Sequence, residues 1–71
     1  MAVLRLNWGS RPKLAAVYAV DLRTGDTAAR TEDGRIGCWP ITELEAHDES
    51  GRYLPTLPAI QAAAGEVLGE E

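Results

Sequence analysis

Cys38 and His47 are the only cysteine and the only histidine of this 71-residue chain, and they are the residues best suited to nucleophilic catalysis. A reactive thiol needs a histidine or another cation close by. The residues that follow Cys38 include Trp39, Glu43 and Glu45, and acidic neighbours make a thiol less reactive. We therefore interpret Cys38 as a core cysteine and His47 as a half-buried histidine, and we expect the protein not to be an enzyme.

Metal and cofactor sites have little support in the sequence. One cysteine and one histidine cannot form a structural zinc site, which needs four ligands. His47, Asp48 and Glu49 are consecutive, so on a helix their side chains would point in different directions and could not share one ion. The chain has no phosphate-binding loop, no dinucleotide-binding motif, no H-E-x-x-H and no G-x-S-x-G. We expect no metal and no cofactor.

An acidic segment follows the second tryptophan. Thr42 and Glu45 have the spacing of a capping box, which predicts a short helix that begins at Thr42 and ends by Gly51. An exposed aromatic side chain surrounded by charge is common in protein interfaces. The expected partner-binding residues are the tryptophan and the acids of this segment: Trp39, Glu43, Glu45, Asp48 and Glu49.

The charge of the chain is divided between its two halves. Residues 1–35 carry six basic and four acidic side chains, a net +2, whereas residues 36–71 carry one basic and seven acidic side chains, a net −6. The acidic half predicts contact with a basic protein surface. The alternative is a nucleic-acid-binding module that uses the basic N-terminal half, through Arg5, Arg11, Lys13 and Arg23. The sequence pI of about 4.8 argues against that alternative, because such binding depends on neutralising phosphates.

Short strands and turns are predicted for most of the chain. Residues 3–8 alternate, with Leu4, Leu6 and Trp8 on one face. Residues 14–22 fit a strand better than a helix, although their apolar residues also match a helical period. Two glycine-containing turns, at residues 24–26 and 32–34, enclose a short polar strand. Further strands are expected at residues 35–39 and 52–54.

One helix is predicted at the C-terminus, from Pro58 onward. Its apolar stripe has helical spacing and consists of Ile60, Ala63, Ala64, Val67 and Leu68. Gly65 weakens the helix, and the glutamates at its end oppose the helix dipole. We therefore expect the tail to fray.

The hairpin segment YAVDLRTGD, residues 18–26, resembles the strand and turn of a quinoprotein-type propeller blade. A propeller needs at least four blades, which a chain of this length cannot hold, so the resemblance implies a hairpin and no activity.

The predicted fold is one small α+β domain over residues 1–71. A small antiparallel sheet of three to four strands, either open or curled toward a barrel, is expected to pack against the C-terminal helix. A chain this short is marginally stable, so close packing or homo-oligomerisation must contribute. No apolar run is long enough to span a membrane, and one free cysteine suits the cytoplasm.

The function predicted from these features is that of a small non-catalytic interaction protein: a regulator, an inhibitor or an accessory subunit. A homo-oligomeric structural subunit is the further alternative to the nucleic-acid-binding module.

Overall fold

Short strands make up most of the chain, as the alternating sequence predicts. A computed structural model describes residues 2–7 and 12–69. The elements in chain order are β1 (Val3–Leu6), β2 (Leu14–Asp21), β3 (Asp26–Thr31), β4 (Ile36–Pro40), a 3₁₀ turn (Ile41–Glu43), β5 (Leu44–His47), β6 (Tyr53–Leu54), α1 (Thr56–Ala63) and β7 (Glu66–Leu68). The chain is therefore a small α+β domain, as expected, although it contains two sheets rather than one.

The four-stranded sheet has the order β4-β3-β2-β7. Its centre is the β2–β3 hairpin, whose turn uses Gly25 at a φ of 81°, a conformation that glycine adopts without strain. Residues 14–22 are thus a strand, and the helical alternative for them is wrong. Bulges at two points in β2 shift its register against β3, which increases the local twist.

The three-stranded sheet has the order β1-β5-β6 and is antiparallel throughout. Leu4 lies opposite Ala46 and Leu6 lies opposite Leu44, and all four are buried. A single bridge between Arg5 and Lys13 joins β1 to the start of the other sheet. The sheets do not close into a barrel, because β4 and β7 end one sheet and β6 ends the other.

The core lies between the inner faces of the two sheets and α1. It consists of Leu4, Leu6, Val20, Leu44, Ala46 and Ile60. Ile60 is the buried residue of α1 and is fully inaccessible to solvent. None of the helices in the described part of the chain is long and apolar enough to cross a membrane.

The predicted helix from Thr42 to Gly51 is wrong. Pro40 precedes a 3₁₀ turn with no side-chain cap, and Leu44–His47 is a β-strand. Residues 44–47 form a strand because their side chains alternate between the two faces, which buries Leu44 and Ala46. The neighbouring strand β1 places apolar side chains opposite these two residues. Pairing with β1 supplies more contacts than a capping box would, so tertiary structure overrides the local helix signal.

The predicted helical tail is also wrong in part. The helix ends at Ala63, and Glu66–Leu68 pairs in parallel with Ala19–Asp21 of β2 instead of fraying. Gly65 permits this change of direction, because a Cβ at that position would lie 3.1 Å from the carbonyl oxygen of Tyr18. Of the predicted stripe, Ile60, Ala64 and Val67 pack in or against the core, while Leu68 is exposed on β7. The expectation that residues 70 and 71 fray lies outside the described residues.

Candidate functional site

Glu45 and His47 form a half-buried pair on the outer face of the three-stranded sheet. Because they alternate with Leu44 and Ala46 along β5, their side chains point away from the core. Oε1 of Glu45 lies 3.1 Å from Nε2 of His47, and the two side chains are 12% and 13% exposed. The ring of His47 also contacts the ring of Tyr53 on β6, with centroids 4.7 Å apart. His47 is therefore half-buried, as the sequence predicts, and Glu45 is mostly covered by the chain itself.

Asp48 stabilises the turn between β5 and β6. Its Oδ1 accepts hydrogen bonds from the Ser50 hydroxyl at 2.6 Å, the Ser50 amide at 2.9 Å and the Arg52 amide at 3.0 Å. These bonds, the Ser50 hydroxyl bond foremost, lower the pKa of Asp48 below its ordinary 3.8. The carboxylate is thus already engaged in the local structure.

The five predicted partner-binding residues do not share one helix face. Trp39 lies on β4 of the four-stranded sheet, whereas Glu45 and Asp48 lie on and after β5 of the other sheet. The Trp39 ring packs against the core and lies over Gly37, where a Cβ would be 3.4 Å from the ring. Trp39 is therefore a half-buried core contact and not the exposed centre of an acidic patch. Glu43 is half-buried in the 3₁₀ turn, and Glu49 is exposed in the turn after β5.

Cys38 is exposed, so its interpretation as a core cysteine is wrong. The alternation along β4 buries Gly37 and Trp39 partly and turns Ile36 and Cys38 outward. His47 faces outward from the other sheet, so the structure does not bring the thiol and the imidazole together. Among residues 2–7 and 12–69, no group of three or more His, Cys, Asp or Glu side chains could hold a metal ion.

The four basic residues of the nucleic-acid hypothesis are only partly brought together. Arg5 and Lys13 are bridge partners on neighbouring strands. Arg23 lies in the β2–β3 turn of the other sheet, where its Nε is 3.5 Å from the carboxylate of Asp21. Arg11, like Trp8, lies outside the described residues. Within residues 2–7 and 12–69, the structure therefore places Arg5 and Lys13 side by side and Arg23 on the other sheet.

An exposed apolar surface on the four-stranded sheet was missed at the sequence level. Ile36 is 71% exposed, Tyr18 is 45% exposed and Leu68 is 41% exposed. Ile36 lies opposite Arg30, and Cys38 lies opposite Ala28, so the outer face beside β4 combines exposed apolar side chains with a charged one. The sequence does indicate that the side chains of residues 36–39 alternate between two faces of a strand. It does not indicate which of those faces the core covers.

No protein-family model, no curated protein and no solved structure matches this chain. Its function must therefore be argued from the geometry of its own surfaces.

Proposed function

We propose that this protein is a non-catalytic interaction domain that associates through β4, the free edge of its four-stranded sheet, and that its partner is a second copy of the same chain. The observation that carries the proposal is an uncharged edge strand on which the apolar side chain of Ile36 is 71% exposed. The proposal takes up the homo-oligomeric subunit expected from the sequence, in place of the interaction protein that binds a basic partner through an acidic surface.

The outward edge of β4 offers unpaired backbone groups. At one end of the β3–β4 ladder the Thr31 amide donates to the Arg35 carbonyl, and just beyond the other end the Ile41 amide donates to the Gly25 carbonyl. Hydrogen-bonded pairs alternate in an antiparallel ladder, so the groups of Gly37 and Trp39 point toward β3. Those of Ile36 and Cys38 therefore point away from the sheet. Pro40 ends this edge because it has no amide hydrogen.

Most of the usual protections of an edge strand are absent from β4, and Pro40 at its end is the exception. Natural edges carry lysines, prolines, inward-pointing charges or bulges that prevent pairing with another strand. Residues 36–40 contain no charged side chain, and the β3–β4 register runs without a shift. The opposite edge of the sheet, β7, is only three residues long and carries Glu66. Pairing with a strand of another molecule is therefore more favourable at the β4 edge than at the β7 edge.

The geometry of β4 matches a second copy of itself. A two-fold axis at Gly37 would place Ile36 opposite Cys38 of the second copy, and the same pair would recur on the other side of the axis. Each pair forms two backbone hydrogen bonds, and Ile36 gains an apolar neighbour on the outer face. An uncharged edge meets no like charge when it pairs with itself, whereas a basic partner would find no acid there.

Self-association would also help a chain with a small core. One short strand buries less than the roughly 1,200 Å² of a stable interface, so we expect a reversible, concentration-dependent dimer. The cytoplasm is the proposed compartment, because a reducing environment would keep the exposed Cys38 thiol from forming disulfides.

The test is analytical ultracentrifugation over a wide range of protein concentration with a reductant present. Wild type should shift from monomer to dimer as concentration rises, and Ile36→Lys should remain monomeric because lysine protects the edge. Leu68→Lys is the matched control, since it adds the same charge at an exposed apolar position on the opposite edge. A wild type that stays monomeric throughout, or an Ile36→Lys variant that dimerises like wild type, would refute the proposal.

A further inference from the structure

A pocket lies on the outer face of the three-stranded sheet, away from the β4 edge. It has a volume of about 310 Å³ and is lined by β1, Lys13, His47 and the turn after β5. The size suits a small molecule. Its wall contains two cationic side chains, Arg5 and Lys13, which the proposed dimer does not use.

Arg5 and Lys13 are cross-strand neighbours of like charge. The bridge between them places both side chains on the same face of the sheet. Like charges directly opposite each other destabilise a pair of strands, unless an anion lies between them. Neither residue forms an ion pair with another residue in the described ranges.

The Nε atom of Arg5 lacks an acceptor. This atom is buried and has no hydrogen-bond partner. Glu45, the residue opposite Arg5 on β5, has its Oε1 3.1 Å from His47 Nε2 instead. A buried donor of a charged group that stays unsatisfied costs free energy, and an acceptor bound beside it would recover part of that cost.

We propose that this pocket binds the carboxylate group of a small molecule. A carboxylate matches the planar fork of Arg5 and can accept from two of its nitrogens at once, while the Lys13 ammonium contributes a second positive charge. Two acids that also line the pocket, Asp48 and Glu49, disfavour ligands with more than one negative charge. A singly charged carboxylate is therefore preferred over a phosphate.

The experiment is an NMR titration of amide shifts with sodium acetate, with sodium chloride at equal ionic strength as the reference and sodium phosphate as a third arm. Acetate should give saturable shifts at Val3, Lys13, His47 and Gly51 that chloride does not give. Phosphate should bind more weakly than acetate. Shifts that are identical in acetate and chloride, or tighter binding of phosphate, would overturn the proposal.

Two variants and one control locate the binding site. Arg5→Gln should weaken acetate binding by about tenfold or more, because it removes the charged donor. Lys13→Gln changes an exposed side chain and should weaken binding severalfold, which keeps the test valid if Arg5→Gln does not fold. Arg23→Gln removes the same charge on the other sheet and should bind acetate like wild type. Unchanged acetate affinity in Lys13→Gln, or an equal loss of affinity in Arg23→Gln, would refute the site.

Discussion

Glu45 and His47 lie two residues apart on one face of β5, with Oε1 of Glu45 3.1 Å from Nε2 of His47. Because both side chains are mostly shielded from water, loss of the carboxylate leaves a polar ring nitrogen without this partner. We expect Glu45→Ala to lower the free energy of unfolding by about 1–2 kcal/mol, as measured by urea denaturation. Glu32→Ala, in an exposed turn, is the control and should stay within about 0.5 kcal/mol of wild type. Equal decreases in the free energy of unfolding of the two variants would show that the contact between Glu45 and His47 adds no specific stability.

Two fully buried threonines on β3 should respond in opposite directions to the same substitution. Thr27 and Thr31 are both 0% exposed. The Thr27 hydroxyl has no hydrogen-bond partner, whereas the Thr31 hydroxyl bonds to the Asp33 carboxylate and accepts from the Arg35 amide. Valine has nearly the same shape as threonine but no hydroxyl, so the change isolates the polar group.

We expect Thr27→Val to leave the free energy of unfolding unchanged or to raise it by about 1 kcal/mol, because an unsatisfied buried group disappears. Thr31→Val should lower it by about 1–2 kcal/mol, because it removes the hydrogen bonds of the hydroxyl to the Asp33 carboxylate and the Arg35 amide. Thermal and urea unfolding of the two variants give the comparison. Destabilisation of similar size in both would mean that the Thr27 hydroxyl is in fact satisfied.

Much of the strand pattern could be predicted from local sequence. Alternation identified β1, and the turns at Gly25 and Gly34 identified the hairpins on either side of β3. These predictions succeed because the alternation of side chains along a strand and the backbone conformation of glycine depend only on neighbouring residues.

The errors arose where a distant partner decided the structure. The segment after Thr42 has a helix-start signal, but pairing with β1, nearly forty residues earlier, makes it a strand. Glu66–Leu68 is a strand because Val17–Asp21 lies beside it, and nothing in the local residues predicts a parallel neighbour. The helix that was expected to carry the acidic segment fails for the same reason, and the partner-binding role of its acids stays a prediction.

The pKa of Asp48 should depend on Ser50. The Ser50 hydroxyl is the largest cause that lowers the pKa of Asp48 from 3.8, because it stabilises the ionised carboxylate. Ser50→Ala should therefore raise the pKa of Asp48 toward 3.8, as measured by NMR titration of the side-chain carboxyl. Asp21 is the internal control, because its pKa is lowered chiefly by the amide of Arg23 and should not change. A pKa of Asp48 that stays the same in Ser50→Ala would contradict the assignment.

The same carboxylate links stability to pH. A pKa lowered by folding means that Asp48 stabilises the native state at pH values above 3.8, and that this contribution disappears as the pH falls through the lowered value. Asp48→Ala should thus be less stable than wild type at neutral pH, and the difference between the two should shrink in acid. Urea midpoints measured across a pH series test this, and a difference that stays constant into strong acid would contradict it.

Ile60 should be the most sensitive apolar position of α1. It is 0% exposed and is the one buried residue of this helix, where it packs with the core residues of β1, β2 and β5. Truncation of such a residue to alanine removes apolar contacts and leaves a cavity, which costs about 2–5 kcal/mol. Because small domains have total stabilities of only about 5–15 kcal/mol, we expect Ile60→Ala to unfold at a much lower urea concentration or to be unfolded without urea.

Leu57→Ala is the control, since Leu57 lies on the same helix but is 38% exposed, and this change should lower the free energy of unfolding clearly less. Similar losses in the two variants would show that α1 does not anchor the core through Ile60.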